Sequence, residues 1–190
     1  MTSFTRSSIA GLAAAVALTA CSSTPPPKPA PAPAAVHQLR AATANIAPAS
    51  GTLVSGRLRI EAVDGGVRIR GELGGLGRGT RHAIHVHERG DCSAADGSSA
   101  GGHFNPGNAL HGRAGHGPHH AGDMDNLQAD ANGVARIDIA LNGVLLGGGS
   151  PTDIVGRAII VHAAPDDYSS QPSGNAGARI GCGVIEAARY

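Results

Sequence analysis

The chain has 190 residues, of which 41% are hydrophobic and 15% are charged, so it is long enough for one folded domain with additional segments. Its net charge is +1 and it has no block of basic residues, which argues against binding to nucleic acid or to an acidic membrane surface through charge. Only 2% of the residues are aromatic and 29 are glycine, a composition that favours short strands and many turns over long helices.

Residues 1–20 have the pattern of a secretory signal peptide. Arg6 precedes an apolar run at residues 9–18 that is too short to span a membrane as a stable anchor. The residues Leu18-Thr19-Ala20-Cys21 resemble a bacterial lipobox, in which Cys21 becomes the lipid-bearing first residue of the mature protein. An ordinary signal peptide that happens to contain a cysteine is the alternative. We therefore expect a protein of the bacterial cell envelope, on the periplasmic side and attached to a membrane through lipid on Cys21.

Residues 21–50 are predicted to tether the lipid to the folded domain. Proline and alanine dominate residues 25–33, and such a segment forms neither a helix nor a sheet but an extended chain. Residues 34–44 are rich in alanine, and we expect a transient helix there at most. The folded domain is expected to comprise residues 51–190.

Alternation of apolar and polar residues predicts a series of short strands in this domain. The first two flank Asp64-Gly65 and are expected to form a hairpin. The predicted strands comprise residues 53–60, 67–73, 83–87, 134–141, 154–161 and 179–185. Two glycine-rich stretches, residues 88–130 and 163–178, show no periodicity. Long loops of this kind are usually functional, and here they hold most of the histidines.

Two histidines separated by one residue indicate a metal site. Side chains alternate between the faces of a strand, so His85 and His87 project from one side while Ile84 and Val86 face the core. Two imidazoles on one face can hold one ion, and nitrogen ligands suit copper or zinc. Three histidines with one aspartate suit tetrahedral zinc. The sequence therefore predicts two metal sites, since it also supplies His103, His111, His120, Asp123 and His162.

The cysteine count fits an exported protein. If Cys21 carries lipid, Cys92 and Cys182 remain as a pair in an oxidising compartment, where a disulfide is the default expectation and two buried free thiols are the alternative. Such a bond would close a loop of about 90 residues and stabilise the fold by about 4 kcal/mol in the chain-entropy model.

Five separated motifs, taken together, resemble copper/zinc superoxide dismutase. They occur in the order of that family and cover about residues 51–190. The resemblance implies an all-β fold, an eight-stranded Greek-key β-barrel or sandwich with long metal-binding loops. The motifs are His85-Val86-His87-Glu88, Gly101-Gly102-His103-Phe104-Asn105-Pro106, His120-Ala121-Gly122-Asp123, Gly156-Arg157-Ala158-Ile159-Ile160-Val161-His162 and residues 174–185.

The same resemblance implies the ligands of both metals. His103 is implied to bridge them, and His111 is preferred to His116 or His119 because it follows His103 at the family's interval. These two surplus histidines, with His82 and His37, are expected to be exposed loop residues. The implied copper ligands are His85, His87, His103 and His162, and the implied zinc ligands are His103, His111, His120 and Asp123.

Four further residues match family positions. Asp166 is implied to orient ligating imidazoles of both sites, and Arg179 to guide the anionic substrate to copper. Cys92 and Cys182 match the family's intramolecular disulfide. Residues 163–178 contain no Lys or Glu, so steering is expected to rest on Arg179, with two other arginines as candidates, Arg113 and Arg89.

The resemblance implies an enzyme that converts superoxide to oxygen and hydrogen peroxide by a copper redox cycle, with zinc as a structural partner. The alternative is a non-catalytic envelope lipoprotein that binds copper and zinc. Degenerate relatives of that kind lose a copper ligand or the arginine, whereas all are present here, which favours the enzyme. Superoxide and a membrane are the expected partners, no nucleic acid is expected, and a homodimer stays open because bacterial and animal members associate through different surfaces.

Overall fold

The computed structural model describes Met1 and residues 38–188 of the chain. The expectations for the signal peptide, for Cys21, for His37 and for the first part of the tether concern residues outside this range. Within the described residues, the sole helical segment is a 3-10 turn, Ser98–Ala100, and no helix is long and apolar enough to cross a membrane. The described fold is therefore built from β-strands.

Seven strands form one antiparallel sheet in the order β5-β8-β9-β1-β2-β3-β7, and β4 pairs with β6 in a second sheet. The all-β expectation is confirmed. The strands are β1 (Ala41–Pro48), β2 (Ser55–Val63), β3 (Gly66–Gly74), β4 (Arg81–His82), β5 (Ile84–His87), β6 (Leu127–Gln128), β7 (Ala135–Asn142), β8 (Ala158–His162) and β9 (Arg179–Ala187).

The small second sheet connects the two ends of the large one. Strand β4 is separated from β5, one edge of the large sheet, by Ala83 alone. Its partner β6 leads towards β7, the other edge, and a bridge between Ala129 and Ala135 joins the two segments. The curled sheet encloses a core of aliphatic side chains, the largest of which are fully buried: Leu58, Ile60, Ile69, Leu73, Ile84, Leu141, Ile159 and Ile185.

The predicted hairpin is confirmed. Strands β2 and β3 pair from Ser55↔Gly74 to Val63↔Gly66, and the turn uses Gly65 at φ 79°, a conformation that favours glycine. Along β2 the buried Leu58 and Ile60 alternate with exposed charged residues, which is the pattern that predicted the strand.

The first strand was not predicted. Residues 41–44 are strand rather than helix, and β1 lies upstream of the domain start expected at residue 51. Its inward positions Ala42, Ala44 and Ile46 are buried in the aliphatic core, and β2 and β9 pair with the strand on its two edges. Small side chains such as alanine fit a tightly packed position. Because they differ little in hydrophobicity from their neighbours, they give only a weak apolar–polar alternation from which to predict a strand.

The strand predicted at residues 154–161 begins only at Ala158. The preceding segment is a loop organised by the buried Asp153, whose carboxylate accepts hydrogen bonds from the amides of Gly147, Gly149 and Val155. These bonds curl the chain around the aspartate, so the apolar residues Ile154 and Val155 do not enter the sheet ladder.

Two loops carry the predicted site. The metal loop, residues 88–126, leaves β5, and the closing loop, residues 163–178, joins β8 to β9. The predicted disulfide is present: Cys92 of the metal loop is bonded to Cys182 of β9, with their Cα atoms 5.8 Å apart.

Candidate metal centre

Both loops converge on strand β5. His85 and His87 alternate with Ile84 and Val86 along it, and β8 pairs with one of its edges. The metal loop lies along the other edge, where bridges join His85 to Asp123 and His87 to His103. Strand pairing on one side and loop pairing on the other thus bring distant histidines to one place.

The first cluster comprises four buried histidines whose ligand nitrogens all lie within 4.8 Å of one another: His85, His87, His103 and His162. The Nδ1 of His85 and the Nε2 of the other three have no hydrogen-bond partner. A buried polar atom without a partner costs about 1–3 kcal/mol, so four in one cluster are explained by a ligand that they share. Four imidazole nitrogens suit copper.

The second nitrogen of three of these rings is occupied. His87 Nδ1 donates to the carbonyl of Gly101 over 2.9 Å, and His162 Nδ1 donates to the carbonyl of Gly177 over 3.4 Å. His85 Nε2 donates to Asp166 Oδ2 over 2.8 Å. Such bonds fix the tautomer, so each ring presents its other nitrogen, as a lone pair, to the centre of the cluster.

Burial keeps these imidazoles neutral. It lowers the pKa of His87 to about 2, that of His162 to about 3 and that of His85 to about 4, from an ordinary value of 6.5. A metal ligand must offer a lone pair, and at neutral pH all three rings do so without first losing a proton.

The second cluster comprises His103, His111, His120 and Asp123, again with ligand atoms within 4.8 Å of one another. His103 Nδ1 lies 2.8 Å from Asp123 Oδ1, and His111 Nδ1 lies 3.0 Å from Asp123 Oδ2. His120 Nδ1 is 3.3 Å from His103 Nδ1. Three imidazoles with one carboxylate are a donor set that zinc accepts in tetrahedral geometry.

His103 belongs to both clusters. Its Nε2 is among the partnerless nitrogens of the first, and its Nδ1 faces Asp123 in the second. Its ring centroid lies 4.0 Å from that of His85 and 5.3 Å from that of His120. One ring therefore links the two sites.

Asp166 links the clusters by a second route. Its Oδ2 accepts from His85 Nε2, and its Oδ1 accepts from His111 Nε2 over 2.9 Å. Burial by itself raises the pKa of Asp166, but the hydrogen bonds from His85 and His111 outweigh that effect and the pKa is lowered. The carboxylate therefore stays ionised and orients one ring of each cluster.

The first cluster opens into a cleft of about 500 Å³. His87, His103 and His162 line it together with Arg179. The guanidinium of Arg179 is held by the metal loop, because Nη1 donates to Gly97 O over 2.8 Å and Nη2 to Gly101 O over 2.6 Å. A positive group is thus fixed in the lining of a cleft whose volume can hold a small anion.

The remaining candidate residues lie elsewhere. Arg113 forms an ion pair with Asp125, Arg89 lies 3.5 Å from Glu88, and neither arginine lines the cleft. His116 is exposed and His119 half-buried. The expectation that His82 is an exposed loop histidine is wrong, since the residue is 6% exposed.

Sequence reasoning missed residues that complete the site. Asn105, Asn108 and Ser173 line the cleft, and Asn126 and Tyr168 contact Asp166. None of them has a residue type that signals metal chemistry, and their importance follows only from the way the two loops meet.

Comparison with known proteins settles the family. The model of the family described as copper/zinc superoxide dismutase matches residues 54–185. The chain belongs to the copper/zinc superoxide dismutase family. It is 40% identical over 135 residues to Cu-Zn superoxide dismutase 2 of Aquifex aeolicus strain VF5, covering 70% of this chain and 79% of the relative. It is 41% identical over 137 residues to the Cu-Zn enzyme of Caulobacter vibrioides, covering 70% and 78%.

Solved structures agree with this assignment. A double mutant of a SOD-like protein from Bacillus subtilis is 38% identical, with a TM-score of 0.70 over 76% of this chain and 97% of that one. The expected family, the superoxide dismutase class of enzyme and the copper and zinc cofactors are thereby confirmed, as is the Greek-key β-barrel fold.

Proposed function

We propose that this superoxide dismutase works through copper held by the first cluster, with zinc in the second cluster as its structural partner. The copper ligands are His85 Nδ1 and the Nε2 atoms of His87, His103 and His162. The zinc ligands are the Nδ1 atoms of His103, His111 and His120 and the carboxylate of Asp123. The observation that carries the proposal is the set of four partnerless, buried nitrogens beside a cleft that also contains Arg179.

Copper supplies the one-electron redox chemistry of the reaction, whereas zinc has none and acts on geometry and charge. Two superoxide ions and two protons yield one oxygen molecule and one hydrogen peroxide. Arg179 binds the anion as a charged hydrogen-bond donor at the cleft. Of the two protons that hydrogen peroxide takes up, one would come from Nε2 of His103, which holds a proton whenever it is not a metal ligand, and the other would come from water.

Asp166 and the loop carbonyls hold the rings in place for this work. The carboxylate accepts hydrogen bonds from both His85 and His111. A shift of either ring would move the carboxylate and is therefore opposed by the hydrogen bond from the other ring. The carbonyl of Gly101 accepts from both His87 and Arg179, so one backbone oxygen sets the position of a ligand relative to the anion site.

The competing function is metal storage without catalysis. The test is the dismutation rate of the full chain loaded with one copper and one zinc, compared with the zinc-only form. We expect fast activity that depends on copper and is abolished by His87→Ala, while His119→Ala, which removes a histidine outside both clusters, leaves the rate unchanged. Tight copper binding without activity would overturn catalysis in favour of storage.

We propose further that the protein is exported and anchored to a membrane of the bacterial envelope by lipid on Cys21, with the domain on the periplasmic side. The support is the signal-like sequence before Cys21 and the proline-rich segment after it. Metabolic labelling with a fatty acid should mark the wild-type chain and not Cys21→Ser. A homodimer is the proposed assembly, to be tested by sedimentation equilibrium.

A further inference from the structure

Tyr168 has a backbone conformation that is unusual for a large residue. Its φ angle is 62°, in the left-handed region that non-glycine residues rarely adopt. In this conformation its amide donates to Asp166 Oδ1 over 2.7 Å. The same oxygen accepts the hydrogen bond from His111 Nε2. The unusual backbone thus acts directly on the carboxylate that joins the two clusters.

The side chain of Tyr168 holds the backbone of Asp166 by a second route. Its hydroxyl oxygen accepts from the backbone amide of Asn126 over 3.0 Å. The Asn126 side chain in turn bonds both backbone groups of Asp166, donating to the carbonyl over 2.9 Å and accepting from the amide over 2.7 Å. Tyr168, Asn126 and Asp166 therefore form a closed ring of hydrogen bonds between the metal loop and the closing loop.

Arg113 covers the aromatic ring. Its guanidinium carbon lies 5.3 Å from the ring centroid of Tyr168, and its Nε donates to Asp125 over 2.8 Å. A cation over an aromatic face is attracted by the ring electrons. Arg113 and Asp125 each follow a member of the second cluster by two residues, so the cation that covers the ring belongs to an ion pair between two segments that carry proposed zinc ligands.

We propose that Tyr168 is a positioning residue for zinc: it holds the Asp166 carboxylate against His111 and clamps the metal loop to the closing loop. The proposal rests on the zinc assignment made above. Tyr168 is not a ligand and does not line the cleft, and its contribution is to keep the ring of His111 aimed at the second cluster. Hydrogen-bond partners of metal ligands typically change metal affinity about 10–100-fold when they are lost.

The test is the zinc dissociation constant of the full chain, measured by competition with a chromophoric chelator. Tyr168→Asn removes the ring and hydroxyl while keeping a residue that tolerates positive φ, and we expect zinc binding to weaken about 10-fold or more. Tyr168→Phe keeps the ring under Arg113 and loses only the hydroxyl, so we expect an intermediate loss. Ser169→Ala, at the exposed neighbour, and Arg59→Ala, which breaks an exposed ion pair on β2, are the matched controls and should bind zinc as the wild type does.

A second measurement separates positioning from general destabilisation. The metal-free Tyr168→Phe protein should lose no more stability than one hydrogen bond contributes, about 0.5–1.5 kcal/mol, while its zinc affinity falls. Wild-type affinity in both Tyr168 variants would overturn the positioning role, and so would a loss of affinity shared by Arg59→Ala. If the wild-type chain itself does not bind zinc, the zinc assignment is wrong. This outcome is distinct from a failure of the Tyr168 proposal, because it is seen in the protein without any substitution.

Discussion

His82 hydrogen-bonds the backbone of His162: its Nδ1 donates to the His162 carbonyl over 2.8 Å. On the other side of the ring, Nε2 lies 2.6 Å from the hydroxyl of Thr80. His82 lies in neither cluster, but it fixes the end of β8 from which a proposed copper ligand projects.

His82→Ala should destabilise the protein, because it leaves the His162 carbonyl buried without its donor. The free energy of unfolding is expected to fall by about 1–3 kcal/mol. His82→Asn keeps an amide donor near the position of Nδ1 and should recover part of the loss. Denaturant unfolding of the metal-free proteins measures both, and equal stability of His82→Ala and wild type would contradict the structural role.

Gly174 lies against the carboxylate that links the clusters. A Cβ atom at this position would lie 1.8 Å from Asp166 Oδ1 and 2.7 Å from His111 Nε2. Gly174→Ala must therefore displace Asp166, and we expect zinc affinity to fall about 10–100-fold. The measurement is chelator competition.

The matched control for this substitution is Gly79→Ala. Both glycines have φ 67°, but a Cβ at Gly79 meets nothing within 4 Å. The control therefore carries the same backbone strain without the collision. Zinc affinity of Gly174→Ala equal to that of Gly79→Ala would contradict an effect of the collision with Asp166 on the site.

The sequence pointed to the residues of the two clusters more directly than to the residues that hydrogen-bond around them. An interval of two residues on a strand is a local signal, so His85 and His87 could be recognised before the fold was known. The contacts of Tyr168 and Asn126 with Asp166 depend on two loops that meet only in the folded protein. The same reason explains β1, whose alanines become a central strand only through pairing with β2 and β9.

The disulfide is expected to support both stability and the anion site. It closes a separation of 90 residues between Cys92 and Cys182. Cys182 follows Arg179 on β9, and Cys92 begins the part of the metal loop whose carbonyls hold that arginine. Replacing both cysteines by serine should lower the free energy of unfolding by about 4 kcal/mol. It should also lower the dismutation rate at equal copper content. An unchanged rate would show that the disulfide does not help to position Arg179.

The metal-free protein should lose stability as the pH falls below about 6.5. The folded-state pKa values of His85, His162 and His87 are lowered by burial to about 4, 3 and 2. Between these values and 6.5 the unfolded chain binds protons that the folded chain does not, so acid favours unfolding. Denaturant unfolding at pH 7.5 and pH 5 measures the difference. A stability that did not change over this range would contradict neutral, buried imidazoles.

Arg179→Lys should lower the dismutation rate while both metals stay bound. The arginine is fixed by two carbonyls, Gly97 O and Gly101 O, through separate nitrogens of its planar guanidinium, and lysine cannot make both bonds in that geometry. A hydrogen bond to a charged group contributes about 1.5–3 kcal/mol, so we expect a loss of about 10-fold to 100-fold.

Activity and copper content should be measured on the same preparations, with Arg59→Lys as the control because Arg59 lies on β2 and does not line the cleft. The loss for Arg179→Ala, which removes the charge, should be greatest at low ionic strength, where steering of an anion by charge is strongest, whereas Arg179→Lys keeps the charge and should keep the salt dependence of the wild type. A rate that is unaltered in Arg179→Lys and Arg179→Ala would remove this residue from the path of the substrate.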